Sequence, residues 1–114
     1  MAIREPDGPG GNLVISDEVL AAIAVTAAKD VEGVSALVPR TDLSRLLRRG
    51  EALRFVRLGS GEGGLTLQLA IRVRAGARIP AIAGELQKEI KSAVENMTGR
   101  AVARVNVSIA GADH

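Results

Sequence analysis

The 114-residue chain has no cysteine, no tryptophan, no tyrosine, one phenylalanine and one histidine. Each absence removes a class of chemistry. Without cysteine there are no disulfides, thiolate metal sites or thiol nucleophiles. A single ring, Phe55, cannot build a stacking platform for bases or sugars, so the core must come from Val, Leu, Ile and Ala. The histidine is His114, the last residue, where a side chain is poorly placed to serve as an oriented base. No apolar run approaches the roughly 20 residues that cross a bilayer. The longest, residues 19–28, is broken by Thr26, so no transmembrane segment is expected. The first eleven residues hold Pro6, Pro9, several glycines and two acids, without an apolar stretch. They read as a disordered lead-in rather than a signal peptide.

Lysine is also scarce, and the charge that is present is unevenly placed. The formal net charge is +2. Residues 1–32 carry two basic against six acidic side chains, and residues 33–78 carry nine arginines against three acids. The middle third is therefore a basic segment inside a nearly neutral chain.

The strongest pattern lies between Leu65 and Ile109. Leu65, Leu67, Leu69, Ile71 and Val73 alternate with Thr66, Gln68, Ala70, Arg72 and Arg74, the two-residue period of a half-buried strand. Ile79, Ile82, Ala83, Leu86, Ile90, Ala93, Val94 and Met97 recur at helical spacing. Gly99 ends that helix, and Ala101, Ala103, Val105, Val107 and Ile109 restore the period of two. Earlier in the chain, Asn12–Ile15 is a short strand candidate. Ser16 caps a helix over 17–30 with Asp17 and Glu18 at its positive end. Val34–Val38 reads as a strand, Asp42–Arg49 as a short helix, and Leu53–Leu58 as a strand. A glycine-rich turn over 59–64 leads into the return strand of a hairpin.

A strand, helix and strand in succession make a crossover with its two strands parallel, and the hairpin adds an antiparallel neighbour. The expected architecture is a two-layer α+β domain: a mixed β-sheet with two main helices packed on one face. The expected organisation is a lead-in over 1–11, one domain over 12–111 and a tail over 112–114. The other sheet face would bear Thr66, Gln68, Arg72, Arg74, Arg104, Asn106 and Ser108.

Chemistry is thinly supplied. Gly59, Gly61 and Gly64 match G-x-G-x-x-G, but a dinucleotide fingerprint must open a helix, and here the glycines open a strand. Glu85, Glu89 and Glu95 lie among Lys88 and Lys91, which reads as a solvated helix face. Zinc and calcium spacings are absent. No catalytic, metal or cofactor residues are expected, and the protein is expected not to be an enzyme. The first helix is apolar nearly all round, and a helix of that kind is covered on more than one side. Val19, Ala22 and Val25 are its candidate contacts with a second subunit. Arg72, Arg74 and Arg104 are candidate contacts on the sheet face. The alternative is a small nucleic-acid-binding domain using the segment Arg40–Arg78.

Several stretches resemble a known family. Leu13-Val14-Ile15-Ser16-Asp17-Glu18-Val19-Leu20, then Ile23-Ala24, then Val31-Glu32-Gly33-Val34, is similar to the start of the bacterial alkaline shock protein family. The run Ile90-Lys91-Ser92-Ala93-Val94-Glu95-Asn96-Met97-Thr98-Gly99, with Val102 and Val105-Asn106-Val107, resembles that family's helix-to-strand signature. The likeness covers about residues 12–111, with departures at Ala75-Gly76 and Arg100. It implies a non-enzymatic, cytoplasmic scaffold or adaptor of the cell-envelope stress response. Such a protein would form a homo-oligomer and dock at the inner face of the cell membrane through a small membrane-anchoring protein. The family has no catalytic residues to carry over.

Overall fold

The computed structural model describes residues 15–39 and 52–113. Residues 12–14 of the strand candidate Asn12–Ile15 and the whole of the helix candidate Asp42–Arg49 lie outside the described residues, and Ile15 is not in a strand. The elements run α1 (Asp17–Lys29), β1 (Val34–Val38), a 3-10 turn (Ala52–Arg54), β2 (Val56–Gly61), β3 (Gly64–Arg74), α2 (Ile79–Thr98) and β4 (Val102–Asp113).

α1 begins where its cap chemistry requires. The Val19 amide donates to Ser16 Oγ at 3.2 Å, and Asp17 and Glu18 follow in the first turn. α2 starts on Pro80 in its first turn, a position whose amide has no intrahelical partner in any case. It ends on Gly99 at φ +74, whose amide donates to the Glu95 carbonyl at 2.9 Å.

β3 is the strand on which the others assemble. Its residues 64–69 pair antiparallel with β2, its residues 70–73 pair antiparallel with β1, and it pairs parallel with β4 over 65–74. β1 and β2 therefore share one edge of β3 end to end, and β4 holds the other. Both helices cover the same sheet face, with α1 over the β1 and β2 side and α2 over β3 and β4. The result is the mixed, two-layer α+β sheet expected from the sequence.

The core follows the period of two. Leu65, Leu67, Leu69, Ile71 and Val73 are all buried, facing Leu20, Ala21, Ala24 and Ala28 of α1 and Ile82, Leu86, Ile90 and Val94 of α2. α2 is also pinned to β4 by polar contacts. The Val102 amide donates to Glu95 Oε2 at 2.9 Å, and Gln87 Nε2 donates to the Val105 carbonyl at 3.2 Å. Glu95, which the sequence groups with the solvated carboxylates, is thus the anchor of the α2–β4 junction.

Some boundaries differ from the sequence reading. The strand placed at Leu53–Leu58 starts at Val56, because Leu53 turns inward on the 3-10 turn and is buried beside α1. The glycine segment is mostly strand. Gly61 pairs with Gly64, so the turn is only Glu62-Gly63, and Gly63 supplies the positive φ of +91. Gly59 fits within β2 because Thr66 Oγ1 lies 2.8 Å from where a Cβ would sit. Ala112 and Asp113, assigned to the tail, are the last residues of β4.

Leu67 is fully buried at the centre of β3. Leu67→Ala should cost about 3 kcal/mol in urea unfolding. Gly64 has φ +132, and an added methyl would run into the Ala101 carbonyl, whereas Gly61 has open space around it. Gly64→Ala should therefore destabilise by more than about 1 kcal/mol and Gly61→Ala by clearly less, both read from denaturation midpoints.

Candidate functional site

Three surfaces stand out once the two layers are assembled. The first is a groove along the outside of the helix pair. Its walls are Val19, Ala22, Ile23 and Ala27 from α1 and Ala93 and Met97 from α2. Thr26, Asp30, Glu89, Ser92 and Asn96 form its polar border. The groove exists because α1 has more apolar surface than the sheet can cover. Leu20, Ala21, Ala24 and Ala28 face inward, Ile23, Val25 and Ala27 are half-buried, and Val19 and Ala22 are exposed. Val19 is 47% exposed and Met97 is 69% exposed, and both belong to the one groove, so the exposed apolar surface is contiguous.

The second surface is acidic and continuous with the first. Asp30, Glu32, Glu85 and Glu89 surround Val31, Ala81 and Ile82. Asp30 and Glu89 belong to both surfaces. The Arg74 amide donates to the Gly33 carbonyl, which fixes the C-terminal end of α1 at the C-terminal end of β3. α2 runs back from that end. The helix layer thus gathers Asp30, Glu32, Glu85 and Glu89 near the end of β3, and its exposed apolar side chains Val19 and Met97 lie near the start, beside Asp17 and Glu18 of the first turn of α1.

The third surface is the sheet face away from the helices. Register sets its cross-strand rows: Gly59, Thr66 and Arg104; then Arg57, Gln68 and Asn106; then Val38, Ala70 and Ser108; then Ala36, Arg72 and Gly111. Arg74 and Asp113 complete it. The middle of the face is small and flat, and its basic groups are at the ends.

Of the six residues singled out from the sequence, Val19 and Ala22 line the helix groove. Val25 does not; it is half-buried against the core. Arg72, Arg74 and Arg104 share the open sheet face, but not one patch. Arg104 is in register with Thr66, six residues from Arg72 along β3, or about 20 Å. Arg72 is also engaged: its Nε donates to Asp113 Oδ1 at 2.6 Å and its guanidinium reaches the Ala112 carbonyl at 3.3 Å. Gly111 makes this possible, since a Cβ there would meet the Arg72 guanidinium at 2.8 Å. Arg57, not singled out from the sequence, faces the same side two strands from Asn106. The alternation of Val56 and Leu58 inward is the signal that points it outward. Helical spacing groups Met97 with the buried positions of α2. It follows Val94 by three residues at the end of that helix, beyond the cover of the sheet.

Among the described residues, no group of three or more His, Cys, Asp or Glu is placed to hold a metal ion. Among them, no helix is long and apolar enough to cross a membrane.

Comparison with known proteins agrees with this architecture. The chain is 28% identical to the uncharacterized protein YqhY of Bacillus subtilis over 109 residues, which covers 89% of this chain and 76% of that one. It is 28% identical over 108 residues to the uncharacterized protein Spy1535 of Streptococcus pyogenes, with 89% and 78% covered. It is 29% identical over 105 residues to the uncharacterized protein YloU of Bacillus subtilis, with 89% and 88% covered. Among solved structures, a variant of the MamM CTD superposes with a TM-score of 0.52 at 18% identity, covering 84% of this chain and 98% of that one. A zinc form of the MamM CTD gives 0.51 at 18% identity, with 85% and 87% covered. At that identity the likeness concerns the fold alone. The family model that matches residues 6–114 carries the description of a cell envelope-related function, and the chain belongs to that family, the alkaline shock protein family.

Proposed function

We propose that the protein is a non-enzymatic scaffold or adaptor of the cell-envelope stress response. It self-associates and docks at the inner face of the cell membrane through a protein partner. The observation that carries this reading is the helix groove. Val19, Ala22 and Ile23 of α1 and Met97 of α2 form an apolar strip bordered by polar side chains, which is the layout of a protein contact. The cell envelope-related function of the family supports the location. The scarcity of catalytic groups is consistent with a role in holding other molecules rather than transforming them.

The nucleic-acid alternative draws on the Arg40–Arg78 segment. Within the described residues of that segment, Arg72 is committed to Asp113, and Arg54 lies over the Phe55 ring at 5.9 Å. Among the described residues of the segment, Arg57 and Arg74 lie several rows apart on the sheet face, so no compact basic patch is formed there, which favours the scaffold.

Ala22 is exposed in the groove, so Ala22→Glu places a carboxylate there without entering the core. Sedimentation should show self-association weakened at least tenfold with unchanged circular dichroism, because burying an unpaired carboxylate costs well over about 1.4 kcal/mol. An unchanged mass for both Ala22→Glu and Val19→Glu would remove the groove from the self-association surface. In the native cell, a fluorescent fusion should sit at the periphery and become diffuse when the anchoring partner is deleted. A diffuse signal in both strains would sink membrane docking.

A further inference from the structure

The groove and its acidic end need a complementary surface, and the chain carries one on its opposite side. We propose that the helix layer of one copy docks on the open sheet face of a second copy. The association is then head to tail rather than two-fold symmetric. This rests on the self-association reading above and names the surface that the groove meets.

Charge is the first argument. Asp30, Glu32, Glu85 and Glu89 gather at one end of the helix layer. Lys29, Lys88 and Lys91 are in the same layer but line neither helix-layer surface. On the sheet face, Arg57 and Arg104 flank Gln68, Thr66 and Asn106, with their Cα atoms about 12 Å apart by strand spacing. Arg72 is already neutralised by Asp113. A two-fold contact between helix layers sets the four acids either against their own copies or, with the axis across the helices, against the apolar end of the groove, and neither offers them arginines. Contact with the sheet face brings them to arginines.

Arrangement along the strands is the second argument. The acids lie toward the end of β3. Arg57 and Arg104 lie toward its start, whereas the end of the sheet face offers Arg74 beside the Arg72–Asp113 pair, a smaller net positive charge. Val19 and Met97 lie toward the start, while the small residues Ala36, Val38 and Ala70 lie in the middle and toward the end. When the second copy is turned by half a rotation about the stacking direction, both pairs match together. Acids meet Arg57 and Arg104, and the apolar strip meets the small residues. The row Val38, Ala70 and Ser108, between Gln68 and Arg72, bears no long side chain, so a helix pair can approach it there. One orientation thus satisfies charge and shape.

The contact uses two different patches, so it repeats unless the copies close into a ring. Mixing two variants tests it. Arg57→Glu with Arg104→Glu reverses the sheet face, and Glu85→Arg with Glu89→Arg reverses the helix layer. Wild type should gain mass with concentration in sedimentation and lose it as salt rises. Each double variant alone should associate at least tenfold more weakly, with unchanged circular dichroism. The equimolar mixture should recover association, because it restores one acidic helix layer facing one basic sheet face. Loss in the Glu85 and Glu89 variant alone, with full mass in the Arg57 and Arg104 variant, would overturn the proposal in favour of a two-fold helix contact. Lack of recovery in the mixture would overturn it too. So would wild-type retention of single-stranded RNA or anionic vesicles that depends on Arg57 and Arg104 alone while self-association does not. A wild type that stays monomeric at every concentration would instead defeat the self-association reading itself.

Discussion

The burial of one face of β3 is the constraint on which the rest of the structure depends. A strand offers two faces and two edges. In β3 one face is filled by five aliphatic side chains, and both edges are paired along the strand. A slip of one residue would exchange Leu67 and Ile71 for Gln68 and Arg72 in the core, so the register has a steep penalty. That fixed register in turn sets which side chains share the open face. It also brings β1 and β2 to the same edge, because β4 occupies the other.

What could be read from the sequence follows from this. The alternation through β3 and the helical spacing through α2 are long and strongly periodic, and each admits one arrangement against a sheet. The caps at Ser16 and Gly99 are local chemistry, so they are legible without any knowledge of the fold. The strand at Leu53–Leu58 is misplaced for a non-local reason. Leu53 is drawn inward by α1, well upstream in the chain, and nothing within the hairpin announces that contact. The glycine segment misleads in the other direction. Its closely spaced glycines suggest a loose turn, yet Gly59 is in the strand because Thr66 fills the space beside it.

Candidate contacts were legible in part for the same reason. Val19 and Ala22 come from an apolar helix whose excess surface is visible in composition. Val25 differs from them only by its rotation around α1, which depends on where the helix sits on the sheet. Arg72 and Arg104 share a face by parity, but the distance between them is set by register, and the partnership of Arg72 with Asp113 depends on β4 continuing past Gly111. Parity and composition are sequence properties. Register and rotation belong to the packed domain.

The separation of charge between the two layers has a simple origin in chain order. The first thirty-two residues are acidic, and they supply α1 to the helix layer. The described part of the next segment, residues 52–78, carries five arginines against Glu62, and it supplies β2 and β3 to the sheet. Folding two layers from consecutive blocks of opposite sign converts a gradient along the chain into opposite signs on opposite faces. α2 reinforces this, because Glu85 and Glu89 take the side nearest α1. The alanine-rich inner stripe of α1 adds the apolar part. Ala21, Ala24 and Ala28 let the helix lie close to the sheet, so Ile23 and Val25 beside them are only half-buried and Val19 stays exposed. The same two facts, block charge and a thin helix, therefore shape both the helix groove and the charged sheet face.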